Sequence, residues 1–408
     1  MLTVTFASNL GLYRTFIEAG LEDVYVTEGY EPFIDMLLDN GTIRINLFIE
    51  GVTARHLADK FPNVTDKIRT GIGRGQFEIG TYTYNHPVLS TIPYRDTFKQ
   101  MEEGLKIDRE IWGADPKGTM LPEAGWDPSL PRVLNDLGLE YLLMGKAEVR
   151  RDFPATKPDF FSRPFMVAGI DESLVTALSI DSTDWQEGEQ AFYIEGGVIQ
   201  GPEQNVKEFD DRVNQIRGDG DGAGQIMVCK NDGEFVYEGA AKAQYGIQGN
   251  RGGYYQHMGK SLGDEPRRRA EMMAKGWEII TARNDIQFQT ISEYLANNKG
   301  QKTINLRPSF KQHREWLEGS EKLAAMLEET RSEIRCAEYT VKLARKLGRK
   351  TDRADELIRD AWMLLLEAEI STGRRACAHD AGKATRVYHS MELALEAMEM
   401  AQEAAEEM

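Results

Sequence analysis

Residues 119–131 read Thr119-Met120-Leu121-Pro122-Glu123-Ala124-Gly125-Trp126-Asp127-Pro128-Ser129-Leu130-Pro131. An apolar run, Gly118 to Pro122, has the composition of a strand. It ends in a carboxylate. A turn follows, then a helical pattern from Leu130 to Leu137 that Gly138 stops. The next apolar run, Tyr141 to Met144, reads as another strand. Strand, loop, helix and strand in this order form the unit of a parallel sheet with helical crossovers.

The same unit recurs on both sides. Leu2 to Phe6, Ile43 to Ile49 and Phe77 to Gly80 read as strands before it. Leu174 to Ile180, Ile226 to Lys230 and the short Phe288 to Thr290 read as strands after it. Helical patterns occupy Tyr30 to Asn40, Val52 to Lys60, Val64 to Gly73 and Ser292 to Ala296. The longest is Tyr94 to Trp112, with Phe98, Met101, Leu105 and Trp112 along one side. Seven or so repeats predict an α/β fold, an incomplete (β/α)7 barrel, over residues 1–300. No Gly-x-Gly-x-x-Gly follows a strand, which speaks against a dinucleotide-binding fold. Ser182 to Gly224 is polar and reads as a surface loop, and Gly246 to Gly263 as a long loop over a site.

From about Phe310 the composition turns to Ala, Glu, Leu, Met, Arg and Lys. Residues 301–408 are expected to form a C-terminal α-helical bundle, with helices over Lys311–Leu347, Asp352–Ser371 and Arg375–Glu406. Its outer face is a candidate for homo-oligomer contacts.

Charge narrows the partners. The 408 residues carry 49 Lys and Arg against 66 Asp and Glu, a formal net charge of −17. Such a field repels phosphate backbones, so no nucleic-acid partner is expected. Neutral sugars are indifferent to it. The three cysteines, Cys229, Cys336 and Cys377, are widely spaced and odd in number, which fits a reducing, cytoplasmic setting rather than a disulfide framework. No apolar run approaches the length of a membrane span. No signal peptide is read at Met1 to Phe6.

Three segments put carboxylates in or just past apolar strands, the place where parallel barrels build their sites. They are Gly75 to Pro87, with Glu78 and His86; Thr119 to Pro128, with Glu123; and Ile226 to Phe235, with Asp232 and Glu234. Two carboxylates across a pocket suit glycoside hydrolysis, one attacking the anomeric carbon or activating water, the other protonating the leaving oxygen. The residues alone leave other readings open. Glu123 fits a rim ion pair. Asp232-Gly233 fits a hairpin turn. Glu78 fits the polar face of a strand, His86 a loop histidine, and Trp126 and Trp185 a core. Trp126, placed after a carboxylate, is also a candidate to stack on a sugar face.

The segment Leu121 to Pro131 resembles the nucleophile motif of glycoside hydrolase family 57. Gly75 to His86 resembles the family's second motif, Asp232-Gly233-Glu234-Phe235 its fourth, and Thr290 to Leu295 its strand-to-helix ending. The resemblance runs in order over residues 1–300 and implies α-amylase or 4-α-glucanotransferase activity by a retaining mechanism. It implies Glu123 as nucleophile and Asp232 as acid/base. Glu78, Glu234, His86, Trp126 and Trp185 follow as substrate-binding residues. It implies an oligo- or polysaccharide substrate, no cofactor and no metal. The sequence departs from the family at Phe6-Ala7-Ser8-Asn9-Leu10-Gly11, where a histidine motif is usual. That departure keeps a second reading in play, a glycan-binding protein without turnover. A zinc-dependent barrel is the third reading. Its requirement for converging histidines is poorly met by six scattered ones, His56, His86, His257, His313, His379 and His389.

Overall fold

The computed structural model describes residues 1–12, 20, 22–156, 158–180, 201–218, 220–233, 235–245, 260–300, 302–309, 321–369 and parts of 389–402. Ten described strands make one sheet. They are β1 (Leu2–Leu10), β2 (Ile45–Ile49), β3 (Phe77–Thr81), β4 (Gly118–Met120), β5 (Tyr141–Gly145), β6 (Phe165–Ala168), β7 (Leu174–Ile180), β8 (Ile226–Asp232), β9 (Ile286–Phe288) and β10 (Thr303–Asn305). The order is β10-β6-β7-β5-β4-β3-β2-β1-β8, with β9 paired to β1. Every pairing is parallel except β6 with β7. Seven parallel strands, β8 through β1 to β5 and β7, therefore run without a break.

The sheet curls. Ala7 of β1, Phe48 of β2, Met120 of β4, Leu143 of β5, Leu178 of β7 and Val228 of β8 share one apolar cluster. Those strands span the sheet from one end of the parallel run to the other, so a flat sheet could not bring them together. β7 and β8, the two ends of the run, come into contact without ladder pairing. Ile291 and Tyr294 of the short helix Ile291–Leu295 join the same cluster.

Alternation along the strands then sorts inside from outside. On β1, Val4, Phe6 and Leu10 pack outward under the helices, while Ala7 packs inward. Asn9 is two residues beyond Ala7 and shares its face. On β8, Met227 and Cys229 pack outward, Ile226 and Val228 inward. Lys230 continues the inward face.

Two sequence expectations are corrected here. Residues 202–217 fall inside the stretch read as a surface loop, yet Pro202–Arg217 is a helix. Phe209, Val213 and Ile216 recur at helical spacing and are buried; the charges between them hid the pattern. The strands β6 and β10 were not anticipated, being only four and three residues long. Trp185 and Glu234 lie outside the described residues, as does the Asp232 side chain.

The helices Glu321–Lys346 and Asp352–Ala368 pack on each other through their own cluster, including Leu327, Ile334, Val341, Leu357 and Leu365. Among the described residues no helix is long and apolar enough to cross a membrane. The helical pair docks on the Tyr94–Trp112 helix through a buried ionic group. Arg331 pairs with Asp96 and, at 2.6 Å, with Glu369. Burial of all three is nearly complete. Burial, then the neighbouring Asp96, pushes the Glu369 carboxyl well above its ordinary range, against the pull of Arg331. Removing the guanidinium would leave two buried carboxylates facing each other. Arg331→Ala is expected to lower the free energy of unfolding by about 3–5 kcal/mol, the usual cost of breaking a buried pair. Denaturant unfolding measures it, and a loss below about 1 kcal/mol would contradict the role given to the pair.

Candidate active site

β3 ends at Thr81 and β4 at Met120, and the residues that follow each of them touch. A Cβ added at Gly125 would stand 3.0 Å from the Leu89 nitrogen and 3.3 Å from the Ser90 nitrogen. The close approach is backbone against backbone, which is why the position is glycine.

Both segments carry left-handed backbone at residues other than glycine. Among the described residues other than glycine five have positive φ, and four lie here: Thr83 at 68°, His86 at 49°, Glu123 at 50° and Ala124 at 56°. For a β-branched residue such as Thr83 this is a true outlier. Strain of this kind persists only where neighbours hold it, and it gathers at functional sites.

The neighbours can be named. The Tyr84 N–H donates to the Gln100 carbonyl at 2.7 Å, and the Asn85 N–H to Gln100 Oε1 at 3.1 Å. The Gln100 amide in turn donates to the Leu366 carbonyl at 2.9 Å. Asn85 Nδ2 donates to the Glu367 carbonyl at 2.8 Å, and the Tyr84 hydroxyl to Glu367 Oε1 at 2.9 Å. The end of the Asp352–Ala368 helix thus grips the segment after β3. Gly104 lets the Tyr94–Trp112 helix press in behind it; a Cβ there would sit 2.8 Å from the Thr83 carbonyl carbon.

Glu123 is half-buried on the three-residue turn Pro122–Ala124 at the end of β4. His86 is buried. Its N–H donates to Thr83 Oγ1 at 3.0 Å, and its ring Nε2 lies 2.9 Å from the Tyr82 hydroxyl. The two rings meet edge to face at 4.7 Å. Asp232 ends β8 opposite Asn9 of β1. The turn that follows is fixed: the Gly233 N–H donates to the Asn9 carbonyl at 2.8 Å. A Cβ on Gly233 would come within 2.6 Å of that same oxygen.

Two expected site residues stand elsewhere. Trp126 is wholly buried, and its indole N–H donates to the Leu306 carbonyl at 3.3 Å. It packs with Leu130, Leu134 and Phe165. A ring enclosed on both faces has none to offer a sugar, so Trp126 is corrected to a core residue. Glu78 is second in β3, three residues before that strand ends. Its Oε1 accepts from the Tyr141 hydroxyl at 2.7 Å and the Ser292 hydroxyl at 2.8 Å, and its Oε2 from the Ser292 N–H at 3.0 Å. Asn46 completes this group, donating to the Tyr141 oxygen at 2.9 Å. Burial, and then the Glu78 charge, pushes the Tyr141 phenol well up. Glu78 therefore anchors the Ile291–Leu295 helix against β3 and β5.

Three inward-face residues near the strand ends escaped the sequence reading. Asn9 is buried, and its Oδ1 has no hydrogen-bond partner among the described residues. Glu50, directly after β2, is buried and accepts from the Thr53 hydroxyl at 2.8 Å. Lys230 is half-buried on β8. Strand alternation, carried to the ends of β1 and β8, was the signal that pointed to Asn9 and Lys230. Among the described residues no three His, Cys, Asp or Glu side chains are grouped to hold a metal ion.

Residues 12–177 match the family model Glycosyl hydrolase family 57. The matched stretch is 166 of the 408 residues, and over it the sequence is similar to that family. A 4-alpha-glucanotransferase of Thermococcus litoralis is 32% identical over 123 residues, 30% of this chain and 18% of the relative. The aligned stretch therefore spans under a fifth of that curated protein. In structure the chain is similar to a branching enzyme of the hyperthermophilic archaeon Thermococcus kodakaraensis, with a TM-score of 0.65, 16% identity and coverage of 99% and 94% of the two chains. It is also similar to an alpha-mannosidase of Enterococcus faecalis, with a TM-score of 0.66, 13% identity and coverage of 99% and 43%. Both likenesses are of fold.

The Tyr94–Trp112 helix carries a buried acid. Asp108 is faced by the Thr81 hydroxyl and the Trp112 indole, and burial raises its carboxyl well above the ordinary value. The folded protein then holds a proton that the unfolded chain, with a carboxyl near 3.9, has released. Stability must fall as pH rises from about 4 through the raised folded value. Asp108→Asn removes that slope. Urea unfolding of both proteins from about pH 5 to about pH 8 is expected to show the wild type losing ground to the variant. A difference that stays constant across the range would contradict it.

Proposed function

We propose that the protein is a retaining enzyme acting on α-linked glucans, a hydrolase or transglycosylase working through a glycosyl-enzyme intermediate. The parallel run from β8 to β7 is read as an incomplete (β/α)7 barrel over residues 1–300. Residues 301–408 are read as a separate helical domain. The observation that carries the proposal is the left-handed backbone of Glu123 at the end of β4, on a turn that the segment after β3 supports. Strain held by so many contacts suits a side chain that must stand in one place.

Glu123 is the nucleophile and Asp232 the acid/base. The Asp232 carboxyl gives its proton to the glycosidic oxygen while a Glu123 oxygen bonds to the anomeric carbon. The leaving sugar departs with that proton, and the glycosyl unit stays as an ester on Glu123. Asp232, now ionised, takes a proton from water or from an acceptor sugar hydroxyl, whose oxygen displaces the Glu123 ester. Retention needs the two carboxyls about 5–5.5 Å apart. Asn9 Oδ1 is suited to accept from a sugar hydroxyl beside Asp232. His86 acts through Tyr82, fixing the phenol at the rim. Trp185 and Glu234 complete the glycan contacts in this reading. The setting is a reducing cytoplasm, in keeping with three widely spaced cysteines, an odd number.

Ser8-Asn9, where the family resemblance leads one to expect histidine, favours a second reading in which the site binds glycan without turnover. Release of reducing sugar from maltooligosaccharides separates the two. Wild type is expected to be active, and Glu123→Gln and Asp232→Asn to lose at least about a hundredfold in kcat. A wild type that binds oligosaccharide with no turnover would establish the second reading. Unchanged kcat in either variant would remove that residue from the mechanism.

A further inference from the structure

Lys230 is an unusual residue for its place. It lies on the inward face of β8, two residues after Val228, which packs in the enclosed apolar cluster. It is two residues before Asp232. Its ammonium cannot settle toward Val228 and Ile226, in one cluster with Ile291 and Tyr294, without losing its solvation. A half-buried lysine in such a place lays its methylenes along the apolar wall and carries its charge toward the strand end. The strand ends are where β2, β4 and β8 deliver Glu50, Glu123 and Asp232.

Among the described residues, titratable and charged groups at or just past these strand ends are Tyr82 and His86 after β3, Glu50 after β2, Glu123 after β4, Lys146 and Glu148 after β5, and Lys230 on β8, which ends at Asp232. Lys146 is buried at the start of its own helix. One residue beyond Gly145, it has the strand parity of Met144, which packs outward. Among the described residues Lys230 is therefore the cation on the inward face of the parallel strands. Glu50, Glu123 and Glu148 stand with it among the described side chains, Glu148 Oε2 lying 2.6 Å from where a Cβ on Gly145 would sit, so the lysine does not mark these strand ends for an anionic substrate.

We propose that Lys230 is a positioning residue that sets the ionisation of the Glu123/Asp232 pair. A nearby cation favours the charged form of a carboxylate and lowers its pKa. Acting on both members, it keeps Glu123 ionised at lower pH and lets Asp232 give up its proton more readily. The pair's whole working range is thereby displaced toward acid. This rests on the reading of Glu123 and Asp232 given above.

The test is the pH dependence of kcat/KM on a maltooligosaccharide for the full chain, its Lys230→Gln and Lys230→Arg variants, and Lys146→Gln. Glu123→Ala runs alongside as a reference. In Lys230→Gln both limbs of the bell are expected to move upward by about one pH unit, while Lys230→Arg keeps the wild-type limbs. A lysine that only packs would change the height of the bell and leave its limbs in place. That result overturns the proposal, as does a shift seen in Lys146→Gln and absent in Lys230→Gln. If Glu123→Ala keeps wild-type activity, the reading of the carboxylate pair falls instead. Should Lys230→Gln fail to fold, Lys230→Met carries the same expectation, with the chain's melting temperature reporting that it is intact.

Discussion

The left-handed turn at Glu123 and Ala124 is the constraint around which the rest is arranged. Each such residue costs on the order of 1–3 kcal/mol. An isolated loop would relax out of it. Here Gly125 lies against Leu89 and Ser90, and the segment carrying those residues is itself left-handed at Thr83 and His86. Gln100 ties that segment to the Tyr94–Trp112 helix and to the Leu366 carbonyl. The shape of the site thus depends on a helix more than two hundred residues further along the chain, docked through Arg331. The helical region does more than extend the fold; it holds the strand ends in register with their work.

Much of the fold could be read from the residues alone. The Tyr94–Trp112 helix and the strand Leu174–Ile180 have the bounds the sequence suggested. Such elements have apolar runs bounded by glycine, proline or polar clusters, and local pattern suffices for them. The Pro202–Arg217 helix was missed because its four apolar positions are diluted by charge, and tertiary burial rather than propensity defines it. The antiparallel β6 pairs with β7 only through contacts a sequence does not display.

The site was legible in outline and not in assignment. The motif segments after β3 and β4 are in mutual contact, yet Glu78 and Trp126, read from the same motifs, serve the scaffold. Both are polar-tipped groups with a partner waiting: Ser292 and Tyr141 for one, the Leu306 carbonyl for the other. Those partners come from parts of the chain far away in sequence. Asn9 and Lys230 went unnoticed for the opposite reason. Both lie in segments the sequence singled out, yet neither is a residue type expected there, and only the alternation of β1 and β8 turns them inward. A fold shared in outline with both a branching enzyme and an alpha-mannosidase does not choose a chemistry. The side chains on the strand ends do, and among the described ones are the carboxylates of Glu50 and Glu123.

The central claim is that Glu123 forms a bond to the sugar. Incubation with an activated 2-deoxy-2-fluoro glucosyl donor, followed by peptide mass spectrometry, tests it directly. The account predicts one added glycosyl mass, on the peptide containing Glu123, lost slowly on adding an acceptor sugar. A label on another carboxylate, or turnover of the natural glucan with no label on any residue, would contradict it.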